Sequence, residues 1–153
     1  MKIAVGSDHM AYELKEIVKY HINQLGHEAV DYGCYNCTEV DYPDVAFEAA
    51  QGVKDNQAER GILICGTGIG VSISACKVPG IRAALCHDVY SAERAQLSNN
   101  AQILTMGAQV IGPEPAKKIV EAYLNVTFQG GNSERKVNKI IEKEKEFMEV
   151  HNN

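Results

Sequence analysis

The chain has 153 residues, 45% of them hydrophobic, which is enough to close one sizeable core. With 20 acidic against 15 basic side chains it carries a net charge of −5, which argues against nucleic acid as the principal partner. No run reaches the apolar length of a membrane-spanning helix, and 5 cysteines without regular spacing fit reduced thiols better than a disulfide framework.

Lys2 to Gly6 is a short apolar run that predicts a strand at once, where a secretory leader would show a longer apolar core and a cleavage site. Together with the reduced cysteines this makes the cytoplasm the expected location. Ser7-Asp8 then offers a helix N-cap. Leu14, Ile17, Val18, Ile22 and Leu25 recur at helical spacing, and Gly26 stands where a left-handed residue ends a helix. Glu28 to Tyr32 predicts a second strand. In the loop from Cys34 to Tyr42, Cys34-Tyr35-Asn36-Cys37 has CxxC spacing but no second ligand pair, so no metal site is expected. Pro43 suits the first turn of a helix running to about Asp55.

Gly61 to Cys65 is apolar without alternation, as expected of a strand covered on both faces. Arg82 to Cys86 and Ile103 to Met106 read as the fourth and fifth strands, with helices over 68–77, 90–98 and 114–124. The alternation predicts an α/β fold: a doubly wound, Rossmann-like parallel sheet of five strands in a three-layer αβα sandwich, one domain over 1–153. The tail over 132–153 is strongly charged, with Val137, Ile140, Ile141, Phe147 and Val150 forming a narrow apolar stripe. Such a helix docks on its own domain or on a partner; packing on a partner subunit is the expectation.

Ligands of doubly wound folds bind beyond the carboxyl ends of the strands. Ser7-Asp8-His9, Cys65-Gly66-Thr67 and His87-Asp88 follow strands, so their polar groups are expected along one edge of the sheet. Cys65 opens the glycine-rich turn Cys65-Gly66-Thr67-Gly68-Ile69-Gly70. A helix start offers free N–H groups that favour a thiolate and hold an oxyanion. The same segment is equally the form of a plain strand-to-helix turn with Cys65 as a small buried hydrophobe. Asp8 admits two roles, helix cap and substrate ligand, and Tyr42 before Pro43 admits a packing role at the helix start. His87 and Asp88 are adjacent in the chain and suit loop or supporting roles. His21 and His27 read as surface histidines, and Cys76 and Cys86 as packing.

Gly6-Ser7-Asp8-His9, Val40-Asp41-Tyr42-Pro43, Ile64 to Gly70, Lys77 to Arg82, Asn99-Asn100-Ala101 and Phe128 to Gly131, in collinear order over essentially the whole chain, resemble ribose-5-phosphate isomerase B and the related galactose-6-phosphate isomerase subunits. The resemblance implies an aldose–ketose isomerase working through an enediol(ate), without metal or organic cofactor. By position, Cys65 resembles the base, and Thr67 with the N–H groups of Gly66, Gly68 and Gly70 resembles the enediolate's binding site. Asp8, His9 and Tyr42 match positions around the sugar and phosphate. Asn99 matches a residue reaching a neighbouring subunit's site, which implies a homodimer or homotetramer with shared sites.

Some positions differ from the family pattern. The catalytic histidine that opens a furanose ring, in a His-Asn pair, is matched by Ser98. Arginine and histidine positions after Gly131 are matched by Asn132, Ser133 and Lys136, with Arg135 adjacent, and a basic residue is replaced by Gln109. Arginine's fork donates two parallel hydrogen bonds to phosphate, so these changes fall on the substrate-handling half of the site. The whole-chain resemblance points to ribose 5-phosphate as substrate. The alternatives are another sugar or sugar phosphate that needs no ring-opening acid, or a non-catalytic sugar-binding partner subunit.

Overall fold

The computed structural model describes residues 1–151. Five parallel strands, β1 (Lys2–Ser7), β2 (Glu28–Asp31), β3 (Arg60–Cys65), β4 (Ala83–Leu85) and β5 (Ile103–Gly107), form one sheet in the order β2-β1-β3-β5-β4. The helices are α1 (Tyr12–Gln24), α2 (Tyr42–Lys54), α3 (Ile69–Cys76), α4 (Val89–Leu97), α5 (Pro113–Leu124) and α6 (Asn132–His151). The expected α/β class and strand count are observed. Most boundaries fall within a residue of the expectation; β2 stops at Asp31, β4 is trimmed to Ala83–Leu85, and Asp8 caps a single 3-10 turn (His9–Ala11) ahead of α1 instead of α1 itself.

Alternation within β3 shows how the layers are built. Ile62 and Ile64 face a core with Val18 and Ile22 of α1, Ala92 of α4 and Ile119 of α5; Leu63 and Cys65 face a second core with Ala46 and Ala49 of α2 and Val71 of α3. Every residue of β3 is buried, which explains the absence of polar alternation in its sequence. Full burial of an isoleucine or leucine side chain stabilises by about 1.5–3 kcal/mol, so β3 anchors both layers.

The strand order fixes the crevice. From β1 the chain goes outward to β2, then returns to β3 on β1's other side. That reversal leaves an opening at the carboxyl ends of β1 and β3, the usual place for a ligand in this architecture. Register pairs Ser7 with Ile64 and Cys65 with Gly107, so the residues following β1, β3 and β5 emerge side by side.

The loop after β2 is held by a buried ion pair that sequence reading missed, because a lysine between Leu14 and Ile17 looks like a solvent-facing position. Lys15 is fully buried, and its Nζ donates to both Asp31 carboxylate oxygens, at 2.9 and 2.8 Å, and to the Cys34 carbonyl. Lys19 and the Gly33 N–H also donate to Asp31, each at 2.8 Å. Burial by itself would raise the Asp31 pKa, but the donors from Lys15, Lys19 and Gly33 outweigh it and hold the carboxyl below its ordinary 3.8. A depressed folded-state pKa adds stability that is present above the ordinary carboxylate value and is lost as pH falls through the depressed one. Asp31→Ala, which leaves Lys15 buried and unpaired, should therefore lower the unfolding free energy at pH 7 by about 3–5 kcal/mol. Urea titrations at several pH values check this, and the gap between the two proteins should narrow as pH falls below the ordinary carboxylate range.

Candidate active site

Beyond β1 and β3 lies a cleft of about 400 Å3, lined by Asp8, Met10, Tyr42, Gln109, Ile73 and the Cys65–Gly70 turn. Cys65 ends β3 on the α2–α3 side and is 4% exposed, its sulfur at the cleft wall. The Gly68 N–H points at Cys65 Sγ from 3.1 Å. That N–H is a fixed donor at the cleft wall, held there by the backbone of the turn. Thr67 Oγ1 accepts from the Ile69 N–H at 3.2 Å, the first residue of α3, whose first-turn N–H groups have no partner within the helix. Thiol, donors and helix start thus share one wall of one cleft.

The turn takes this shape because it is pressed against β5. Gly68 has φ +79, and a Cβ there would lie 2.6 Å from the Met106 carbonyl carbon; one on Gly107 would lie 2.5 Å from the Thr67 carbonyl carbon. Only glycine allows both the left-handed backbone and this approach. The Ala108 N–H donates to the Cys65 carbonyl at 2.9 Å, the Gln109 N–H to the Gly66 carbonyl at 3.0 Å, and Thr105 Oγ1 to the Gly68 carbonyl at 2.9 Å. Thr105 and Met10 were not expected at the site. An isolated hydroxyl inside the apolar run Ile103-Leu104-Thr105-Met106 was the available signal for the first.

Asp8 is 6% exposed at the cleft; its Oδ1 accepts from the Ala11 N–H at 3.2 Å, so its capping role is observed and it also lines the cleft. Tyr42 is the first residue of α2, with its ring over Gly70, where a Cβ would be 2.5 Å from Cε2. His9 Nδ1 accepts from the Val40 N–H at 3.2 Å and pins the loop that leads into α2. His87 and Asp88 do not act as a pair: His87 Nε2 accepts from the Gly107 N–H at 2.9 Å, and Asp88 caps α4 by accepting from the Ser91 N–H at 2.6 Å. Burial, with the charge of Asp88 adding to it, pushes the Cys86 thiol up to about 11, which keeps it protonated and inert.

Five of the expected site residues lie elsewhere in the same chain. α4 runs back against the parallel strands, so Ser98 and Asn99 at its end lie by the amino ends of β4 and β5, the sheet edge opposite Cys65. Ser98 Oγ accepts from Arg94 Nε at 2.8 Å, and the Asn99 carbonyl accepts from Arg82 Nε at 3.3 Å. α5 returns the chain to the same end, where the Phe128 N–H donates to Gln96 Oε1 at 3.1 Å, and α6 begins there with Asn132, Arg135 and Lys136. Arg135 Nε approaches Asn132 Oδ1 at 3.4 Å. None of the five joins the cleft of its own chain.

A thiol beside backbone donors at the crevice of a doubly wound sheet is equipment suited to an enzyme that moves a proton next to a carbonyl. The Ribose/Galactose Isomerase family model matches residues 3–140, and the chain belongs to that family. It is 51% identical to the D-erythrulose-4-phosphate isomerase of Pectobacterium atrosepticum, covering 92% of this chain and 93% of that protein. It is 49% identical to the ribose-5-P isomerase B of Listeria innocua, with 93% and 96% covered. The solved ribose-5-phosphate isomerase B of Clostridium thermocellum superposes with a TM-score of 0.94 at 45% identity, over 96% of this chain and 99% of that one.

Gly68→Ala should lower kcat by about 100-fold or more, since it displaces the donor at Cys65 and the first turn of α3 together. Steady-state kinetics check this, alongside a thermal melt to separate misplacement of the turn from loss of the fold.

Proposed function

We propose that this isomerase interconverts the aldose and ketose forms of a small sugar phosphate, with Cys65 as the proton-transferring base. The observation that carries the reading is the Gly68 N–H aimed at Cys65 Sγ inside the crevice. From the aldose, the Cys65 thiolate takes the proton from C2, the C1–C2 double bond forms and the carbonyl electron pair moves to O1. The hydroxyl proton passes from O2 to O1, the thiol returns its proton to C1, and C2 becomes the carbonyl. One C–H bond is broken and one formed, so no oxidant or reductant is needed. Thr67 and the N–H groups of the Gly66–Gly70 turn hold the developing oxyanion; Asp8, His9 and Tyr42 bind hydroxyls and phosphate. A single such donor contributes about 3–4 kcal/mol to lowering the barrier.

Ser98, Asn99, Asn132, Arg135 and Lys136 complete the site from a second copy. Their placement at the far edge of the sheet supports this reading, as do the exposed apolar residues Ile73, Leu85 and Tyr90 beside the β4 edge and Ile140 and Phe147 on α6. A homodimer or homotetramer with α6 against a partner, located in the cytoplasm, is part of this proposal. Ribose 5-phosphate is the substrate that the sequence resemblance indicates, while the names of the relatives span four- and five-carbon sugar phosphates.

Cys65→Ala should cut kcat by about 10²–10⁴-fold or more with little change in the circular-dichroism melt. Wild-type-like turnover would remove Cys65 as the base. Mixing Cys65→Ala with Asn99→Ala subunits should restore activity above that of either alone if sites are shared; no restoration after subunit exchange would place the whole site in one chain. Ser98→His combined with Asn132→Arg and Lys136→Arg should raise turnover of ribose 5-phosphate, measured in a coupled ketose assay.

A further inference from the structure

We propose that the preferred substrate is a four-carbon aldose–ketose pair phosphorylated on its terminal hydroxyl, a sugar phosphate with no ring form; this rests on the isomerase reading above. A furanose closes when O4 attacks an aldehyde at C1 or O5 attacks a ketone at C2. In a four-carbon 4-phosphate O4 is esterified and O5 does not exist, so both sugars stay open. Ribose 5-phosphate has a free O4 and is held mainly as a ring. Its isomerisation begins by opening that ring, which requires a base at the anomeric hydroxyl and an acid that protonates the departing O4.

The described residues around the cleft include no such acid. His9 commits its Nδ1 lone pair to the Val40 N–H, and His87 commits Nε2 to the Gly107 N–H; each is left to present its remaining N–H as a hydrogen-bond donor. His21 Nε2 is paired with Glu121 and His27 Nδ1 with the amino terminus, both remote from the cleft. The Asp8 carboxylate is an acceptor, taking the Ala11 N–H. Ser98 Oγ, the group a second copy would bring, accepts from the Arg94 guanidinium. A general acid is most efficient when its pKa lies near the working pH, and alcohols, phenols, ammonium and guanidinium groups ordinarily release protons well above neutrality. The enediol machinery is therefore assembled without the part that only a cyclic substrate requires.

Two side chains bound the space beside the thiol. A Cβ on Gly66 would meet Gln109 Oε1 at 3.1 Å and Met10 Cε at 3.7 Å, so those two side chains close over the turn next to Cys65.

The test compares kcat/KM of the purified wild-type protein for D-erythrose 4-phosphate, D-threose 4-phosphate and D-ribose 5-phosphate, with Cys65→Ala run in parallel. General acid catalysis contributes about 10²–10⁴-fold, so a four-carbon substrate should exceed ribose 5-phosphate by about 100-fold or more. Cys65-dependent turnover that is equal or better on ribose 5-phosphate would overturn this inference and leave the isomerase reading standing. No turnover on any of the three would overturn both.

Discussion

The site depends on one contact: the turn after β3 lies backbone against backbone on the end of β5. Thr67 and Gly68 meet Met106 and Gly107 at distances that admit no Cβ at either glycine. That contact sets Gly68 in the left-handed region, and the left-handed residue turns its N–H back onto Cys65 while α3 starts immediately beyond. A donor fixed by the packing of two central strands has little to reorganise when charge develops, which is the condition for strong oxyanion stabilisation. The fully buried Thr105 hydroxyl supports it from beneath by donating to the Gly68 carbonyl.

Around that rigid centre the rest of the cleft is contributed by elements that other forces place. Asp8 is there because β1 adjoins β3 and because it caps the 3-10 turn. Tyr42 is there because α2 starts beside Gly70, after a loop pinned at one end by the Lys15–Asp31 pair and at the other by His9. The amino-end residues follow a different logic. The parallel topology sends each helix back to the opposite edge, so Ser98 and Asn132 belong to the surface that a second molecule would present. On this account the core fixes the chemistry and the assembly fixes the choice of sugar.

Much of this was legible in the sequence for identifiable reasons. The apolar runs, glycine stops and Pro43 marked the strands and helices within a residue or two, because alternating β and α periods seldom imitate each other. Cys65 and its glycine turn stood out because turn chemistry is local. What escaped was whatever depends on neighbours distant in the chain. Nothing local to Lys15 signals its burial, because Asp31, which pairs with it, lies across the β2 loop; nothing local to Thr105 signals the β3 turn that its hydroxyl holds. Met10 lines the cleft through the 3-10 turn, which has no periodic signature. His87 and Asp88, by contrast, take the supporting roles expected of adjacent residues, one holding β5 and the other capping α4.

The central claim is that one thiol passes a proton between neighbouring carbons of an open-chain sugar phosphate. The most direct measurement is proton and deuterium NMR of wild-type protein with D-erythrose 4-phosphate in D2O, followed over many turnovers to equilibrium. The account predicts that solvent deuterium accumulates at C1 of the ketose and C2 of the aldose, on one face only, as an enediolate with an exchangeable thiol requires. Equilibrated sugar free of solvent deuterium would mean that hydrogen moves directly between the carbons, and would contradict it.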